Sequence, residues 1–131
     1  MLELPRAMVD QVIAHARRDH PDEACGVICG RAGVATRVVE MANAERSPTF
    51  YRFEAKEQLR VWRQMDDADE APLVIYHSHT ATEAYPSRTD IGLAGEPDAH
   101  YLLVSTRSEQ DEVRSYRIVD GQVTEQEIRL T

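Results

Sequence analysis

Apolar residues first recur at helical spacing. In "LPRAMVDQVIAHARRDH", Met8, Val9, Val12, Ile13 and Ala16 fall on one stripe of a helix ending before Pro21, and Pro5 suits its first turn. The period then changes. "EACGVICGRAGVATRVVEM" holds two β-rich runs about Arg31-Ala32-Gly33, which predicts a hairpin. "NAERSPTFYRF" is a polar loop turning into extended chain. Leu59, Trp62 and Met65 recur every three residues in "EAKEQLRVWRQMDDAD", which predicts a second helix. "APLVIYHSH" carries the apolar run Leu73 to Tyr76, the mark of a strand covered on both faces. "SRTDIGLA" has the look of a short helix and "AHYLLVSTR" of another buried strand. "EVRSYRIVDGQVTEQEIRL" alternates about Asp120-Gly121, a strong hairpin signal. The order predicts one compact α/β or α+β domain over residues 1–131.

Composition narrows the partners. The chain is 42% apolar and 29% charged, a globular balance, with a formal net charge of -8. An acidic surface disfavours nucleic acid as a partner. No stretch approaches the roughly 18 apolar residues that cross a bilayer, so no membrane partner is expected. "MLELPRAMVDQ" lacks a cationic segment followed by an apolar one, so the expected location is cytoplasmic. Cys25 and Cys29 are too few for a disulfide framework and do not have zinc-knuckle spacing. They are expected as reduced, buried hydrophobes on one strand face.

The candidate chemistry lies in "YHSHTATEAYPSRTD", residues 76 to 90. His77 and His79 point to the same side of a strand and can share one cation. With Asp90 they make three protein ligands, which leaves a fourth position of a catalytic zinc site for water. Each has a plainer reading. The polar end of a buried strand suits histidine anyway, and Ser87-Arg88-Thr89-Asp90 has the form of a helix capping box. The two readings are compatible, because a helix start can hold both side chains rigidly toward a metal. His15 and His20 are expected on an exposed helix face and at its end, and His100 at the start of a strand in a structural role. "DDADE", residues 66 to 70, is expected as a solvated helix end, and Trp62 as core.

The spacing His77-x-His79, seven residues, Ser87, two residues, Asp90 is similar to the H-x-H-x7-S-x2-D signature of the JAMM, or MPN+, metalloproteases. That family also needs an upstream glutamate opening a strand, and "HPDEACGV" offers Glu23. "HARRDHPDEACGV", "NAERSPTFYR", "EPDAHY" and "VRSYRIVDG" resemble the bacterial JAMM peptidases of sulfur-carrier proteins, most nearly the actinobacterial Mec-type CysO-cysteine peptidases. The likeness covers nearly the whole chain. It implies a cytidine deaminase-like fold, a curved, mainly antiparallel mixed sheet flanked by helices. It implies one Zn²⁺ per chain held by His77, His79 and Asp90, with Glu23 moving protons and Ser87 supporting the oxyanion. The implied partner is a ubiquitin-like sulfur carrier ending in Gly-Gly, from which cysteine is released in cysteine biosynthesis. Trimming of a carrier precursor, or a non-catalytic MPN scaffold, are the alternatives. Arg46, Ser47 and Tyr51, in a loop suited to strand addition, and Tyr85, over the site, are expected to touch substrate.

Overall fold

Strand alternation decides which side of the sheet each residue serves. In the computed structural model, which describes residues 1–131, the chain runs β1 (Leu2–Leu4), α1 (Arg6–Asp19), β2 (Cys25–Arg31), β3 (Val34–Met41), α2 (Ala55–Asp67) and β4 (Ala71–His79). It continues α3 (Arg88–Leu93), β5 (His100–Ser105), β6 (Glu112–Val119), β7 (Gln122–Gln126) and β8 (Ile128–Leu130). Six strands form one sheet in the order β3-β2-β4-β5-β6-β7. Every neighbouring pair is antiparallel except β4–β5, which is parallel and is joined through α3. The mixed, mainly antiparallel sheet flanked by helices agrees with the expected class.

Along β4, Val74 and Tyr76 face one way and pack with α1 through Val9, Val12 and Ala16, alongside Leu102 and Val104. Ile75 faces the other way and joins Cys25, Val27, Cys29, Tyr101 and Leu103 under Val61 and Met65 of α2. His77 and His79 continue the Ile75 register, so they emerge on the α2 side where the sheet ends. Both hairpins turn as expected, with positive φ at Ala32 and Gly33 and at Asp120 and Gly121. Cys25 and Cys29 are free, buried thiols on the same face.

Several expectations are corrected. His15 is not on an exposed face. It is 3% exposed, accepts a hydrogen bond from the Tyr76 hydroxyl at 2.6 Å, and donates from Nε2 to Asp19 at 3.1 Å. In α2 the buried stripe is Val61 and Met65, with Trp62 half-buried, while Leu59 is 51% exposed. Of residues 66 to 70, Glu70 is buried and paired with Arg37 at 3.0 Å and with Thr36. A charged neighbour on the adjacent strands, invisible in a local reading, turns this acid inward. The ends of the chain also pair: β1 and β8 run parallel, Leu2 beside Ile128.

Tyr76 and Gly26 are matched across β2 and β4. A Cβ at Gly26 would lie 2.4 Å from the Tyr76 ring, and the ring cannot retreat because His15 holds its hydroxyl. Gly26→Ala is therefore expected to destabilise the fold by about 1–3 kcal/mol in urea unfolding; a loss below about 0.5 kcal/mol would contradict this packing. Burial, with Arg117 and the N-terminal ammonium adding, pushes His100 from 6.5 down to about 4. Below pH 6.5 the unfolded chain takes up a proton there that the fold refuses until about pH 4, so stability falls as pH falls through that window. His100→Gln should lessen the drop in urea midpoint between about pH 7 and about pH 4.5, measured on chelator-treated protein; an identical drop would exclude His100 as a source.

Candidate metal centre

The pairing of β2 with β4 builds the site. Cys25 lies opposite His77, and one step further the Ser78 amide donates to the Ala24 carbonyl at 3.0 Å. The Ala24 amide returns a bond to Ser78 Oγ at 2.8 Å. Continuing that register sets Glu23 beside His79, on the same face as Cys25. Glu23 is 5% exposed. Burial pushes its carboxyl up to about 8, with His79 opposing the shift and Asp90 adding to it.

The loop after β4 brings the third member of the cluster. Asp90 occupies the first turn of α3, where its Oδ2 accepts from the Ser87 amide at 2.9 Å while Ser87 Oγ accepts from the Asp90 amide at 3.0 Å. The capping box is therefore real, and it aims the carboxylate at the histidines. Asp90 Oδ2 lies 3.1 Å from His77 Nε2 and 3.0 Å from His79 Nε2, and the two nitrogens are 3.3 Å apart. His79 Nδ1–H donates to the Glu83 carbonyl at 2.9 Å, so in neutral His79 the lone pair sits on Nε2. The Nε2 atoms of both histidines and the Asp90 carboxylate then face one another across about a hydrogen-bond length, contacts that protons on the rings or a shared cation can satisfy. A proton serves for one contact; a divalent metal serves for all three. The donor set of two imidazole nitrogens and one carboxylate oxygen, all within 4.8 Å of one another, fits zinc.

Electrostatics agree. Burial pushes the Asp90 carboxyl upward, yet the bonds from His77, His79 and the Ser87 amide outweigh it and hold it well below the carboxylate range. Burial lowers His77 below the ordinary imidazole value against the pull of Asp90. At His79 burial also opposes charge, but Asp90 and the Glu83 carbonyl prevail and raise it. His77 Nδ1 is buried without a hydrogen-bond partner. Its ring is held instead by Tyr51, stacked at 4.4 Å and 22°.

The remaining expected residues divide. Tyr51 reaches the cluster through that stack. Ser47 reaches Glu23 only through its carbonyl, which accepts from the Glu23 amide at 2.8 Å. Arg46, at φ 45°, and Tyr85, packed edge-on against Tyr116, are exposed. The loop is organised from within. It closes on itself through Ala44 N–H to the Arg52 carbonyl at 2.8 Å and the bridge of Asn43 with Phe53. Asn43, passed over in the sequence, organises it. Its Nδ2 donates to the carbonyls of Glu23 (3.1 Å) and Phe50 (2.9 Å). Its Oδ1 accepts from the amides of Glu45 (3.0 Å) and Arg52 (3.2 Å). The only local signal was an asparagine between a strand and a polar loop, a pattern that ordinary turns share.

A family model described as prokaryotic homologs of the JAB domain, Prok-JAB, matches residues 5–119. The chain belongs to the Prok-JAB family. The JAMM/MPN likeness carried by the histidine signature thus holds for the chain as a whole. The "CysO-cysteine peptidase" of Mycobacterium tuberculosis is 66% identical over 126 residues, covering 94% of this chain and 86% of the relative. The "probable TtuB-protein conjugate cleaving protease" of Thermus thermophilus is 32% identical over 123 residues, covering 93% and 79%. The solution structure of protein DSY2949 from Desulfitobacterium hafniense superposes with a TM-score of 0.88 at 33% identity, covering 100% of this chain and 93% of that one. In the Prok-JAB frame, Asn43 links the segment just ahead of β2, at Glu23, to the loop that carries Tyr51.

Asn43→Ala leaves two amides and two carbonyls without their partner, so it is expected to cost about 1–3 kcal/mol. Amide exchange over residues 45–52 should accelerate. Unchanged exchange in that segment would show that the loop is held by other contacts.

Proposed function

We propose that the chain is a zinc-dependent JAMM peptidase that hydrolyses the bond between the C-terminal Gly-Gly of a ubiquitin-like sulfur carrier and an attached cysteine, releasing the amino acid. The observation that carries this reading is the meeting of His77, His79 and Asp90 within 4.8 Å, next to a buried Glu23. The CysO-cysteine peptidase at 66% identity supports the substrate class. When bound, a zinc ion there lowers the pKa of a water from about 15.7 toward about 7 and polarises a carbonyl.

The chain's own residues supply the rest. Glu23 is buried beside His79, and a divalent cation held by the cluster would favour the ionised carboxylate that can accept a proton. It takes the proton of the attacking water and delivers it to the leaving amine, which departs only once protonated. The Ser87 oxygen accepts the Asp90 amide, leaving its own O–H free to donate to the carbonyl oxygen as charge develops there. Stacking against Tyr51 fixes the His77 ring and keeps water from one of its faces. Two free, buried thiols are consistent with action in a reducing cytoplasm. A non-catalytic scaffold has no use for a complete ligand set with an acid buried beside it.

Zinc-loaded protein should convert a carrier ending Gly-Gly-Cys to one ending Gly-Gly, detected by mass, and a chelator should stop it. Glu23→Gln is expected to keep one zinc per chain and the fold while losing at least about 100-fold in turnover. Full activity in that variant would remove Glu23 from the chemistry. A protein that left the cysteine adduct whole, yet cut an extended carrier precursor or a carrier–protein conjugate, would be a trimming or conjugate-cleaving enzyme instead. The Thermus relative makes the conjugate the second substrate to try.

A further inference from the structure

A cavity of about 310 Å³ opens beside the metal ligands, between residues 50–53, α2 and the segment that follows α3. Its walls include Tyr51, Phe53, Trp62, Leu93 and Tyr101, and Asp90 stands at one end. The reaction proposed above leaves it empty. Gly-Gly carries no side chains, so a tail ending there fills none of this space, and a released cysteine belongs on the side of Glu23. Glu23 and His79 do not line the cavity, whereas Asp90 and Tyr51 do. The cavity therefore flanks the acyl half of the scissile bond, away from the group that protonates the amine.

Resting on that reading, we propose that this cavity is a specificity subsite for a large apolar side chain on the carrier residue immediately before Gly-Gly. In an extended tail that residue lies two steps, about 7 Å, from the scissile carbonyl, a reach that suits a cavity bordered by a metal ligand. The lining selects against charge. The Tyr101 hydroxyl accepts from the Glu96 amide at 3.0 Å, and Arg52 is paired through Nε with Glu45 at 2.9 Å. Eight of the thirteen lining residues are hydrophobic, so a charged side chain entering the cavity would give up its hydration for mostly apolar contact. Leu93, 67% exposed at the lip, loses its contact with water when an apolar side chain enters.

Trp62 is the only tryptophan of the chain and lies in the wall, so its fluorescence reports occupancy without any turnover. Short peptides ending Leu-Gly-Gly, Ala-Gly-Gly and Asp-Gly-Gly are titrated onto zinc-loaded protein, and carriers with the same tails plus cysteine are assayed for cleavage. The Leu tail should bind at least about tenfold tighter than the Ala tail, and the Asp tail weaker than either. Ala94→Phe, which narrows the cavity, should abolish the preference for Leu while leaving the Ala tail within about twofold. Leu93→Asp, at an exposed position that tolerates charge, should weaken the Leu tail alone. Equal affinities for the three peptides, or equal losses for all tails in Ala94→Phe, would overturn the subsite. So would Trp62 emission that ignores every tail but changes with protein concentration, which would give the cavity to a second copy of the chain. If Trp62 discriminates the peptides and no carrier is cleaved, the subsite stands and the proposed reaction falls. If all tails are cleaved alike, the reaction stands and the subsite falls.

Discussion

The antiparallel register of β2 on β4 is the constraint on which the rest depends. It sets Cys25 opposite His77 and, through the paired Ala24 and Ser78, draws Glu23 next to a histidine 56 positions later (79 − 23). A slip of one residue would turn Glu23 to the α1 face and send it into the packing around Tyr76. The register is locked where it matters. Tyr76 crosses over Gly26, a position that admits no side chain, and its hydroxyl is tied to a buried His15 that is itself oriented by Asp19. Chemistry on one face of the sheet is thus aligned by a polar clamp on the other.

Much of this could be read from residues alone because it was local. The two hairpins, the helices and the buried strands follow from periodicity, and the grouping of His77, His79 and Asp90 from two histidines on one strand face and an acid at a helix start. Position in space was harder. Nothing in "HPDEACGV" says that its acid is desolvated beside a metal cluster, and only a family signature pointed there. Long-range polar partners were the systematic blind spot. His15 looked like a surface residue because its partner is Tyr76, 61 positions away. Glu70 looked solvated because Arg37 and Thr36 arrive from another strand. Asn43 resembled any turn asparagine, since three of its four bonds lie within its own loop and only the fourth reaches Glu23.

The site also shows how one fold keeps two carboxyls in opposite states. Asp90 accepts three hydrogen bonds and stays ionised, while Glu23, without comparable support and buried beside it, is raised to about 8. The separation follows from placement: one acid caps a helix, the other stands ahead of a strand behind a closed loop.

Asp90 belongs to two structures at once, the capping box of α3 and the metal cluster. A helix of six residues has little tendency to form alone. A cation held at the centre would also hold the start of the helix in the crossover between the two parallel strands. By mass action, an ion held only by the folded chain would add to its stability, and the folded population would then depend on the metal's concentration.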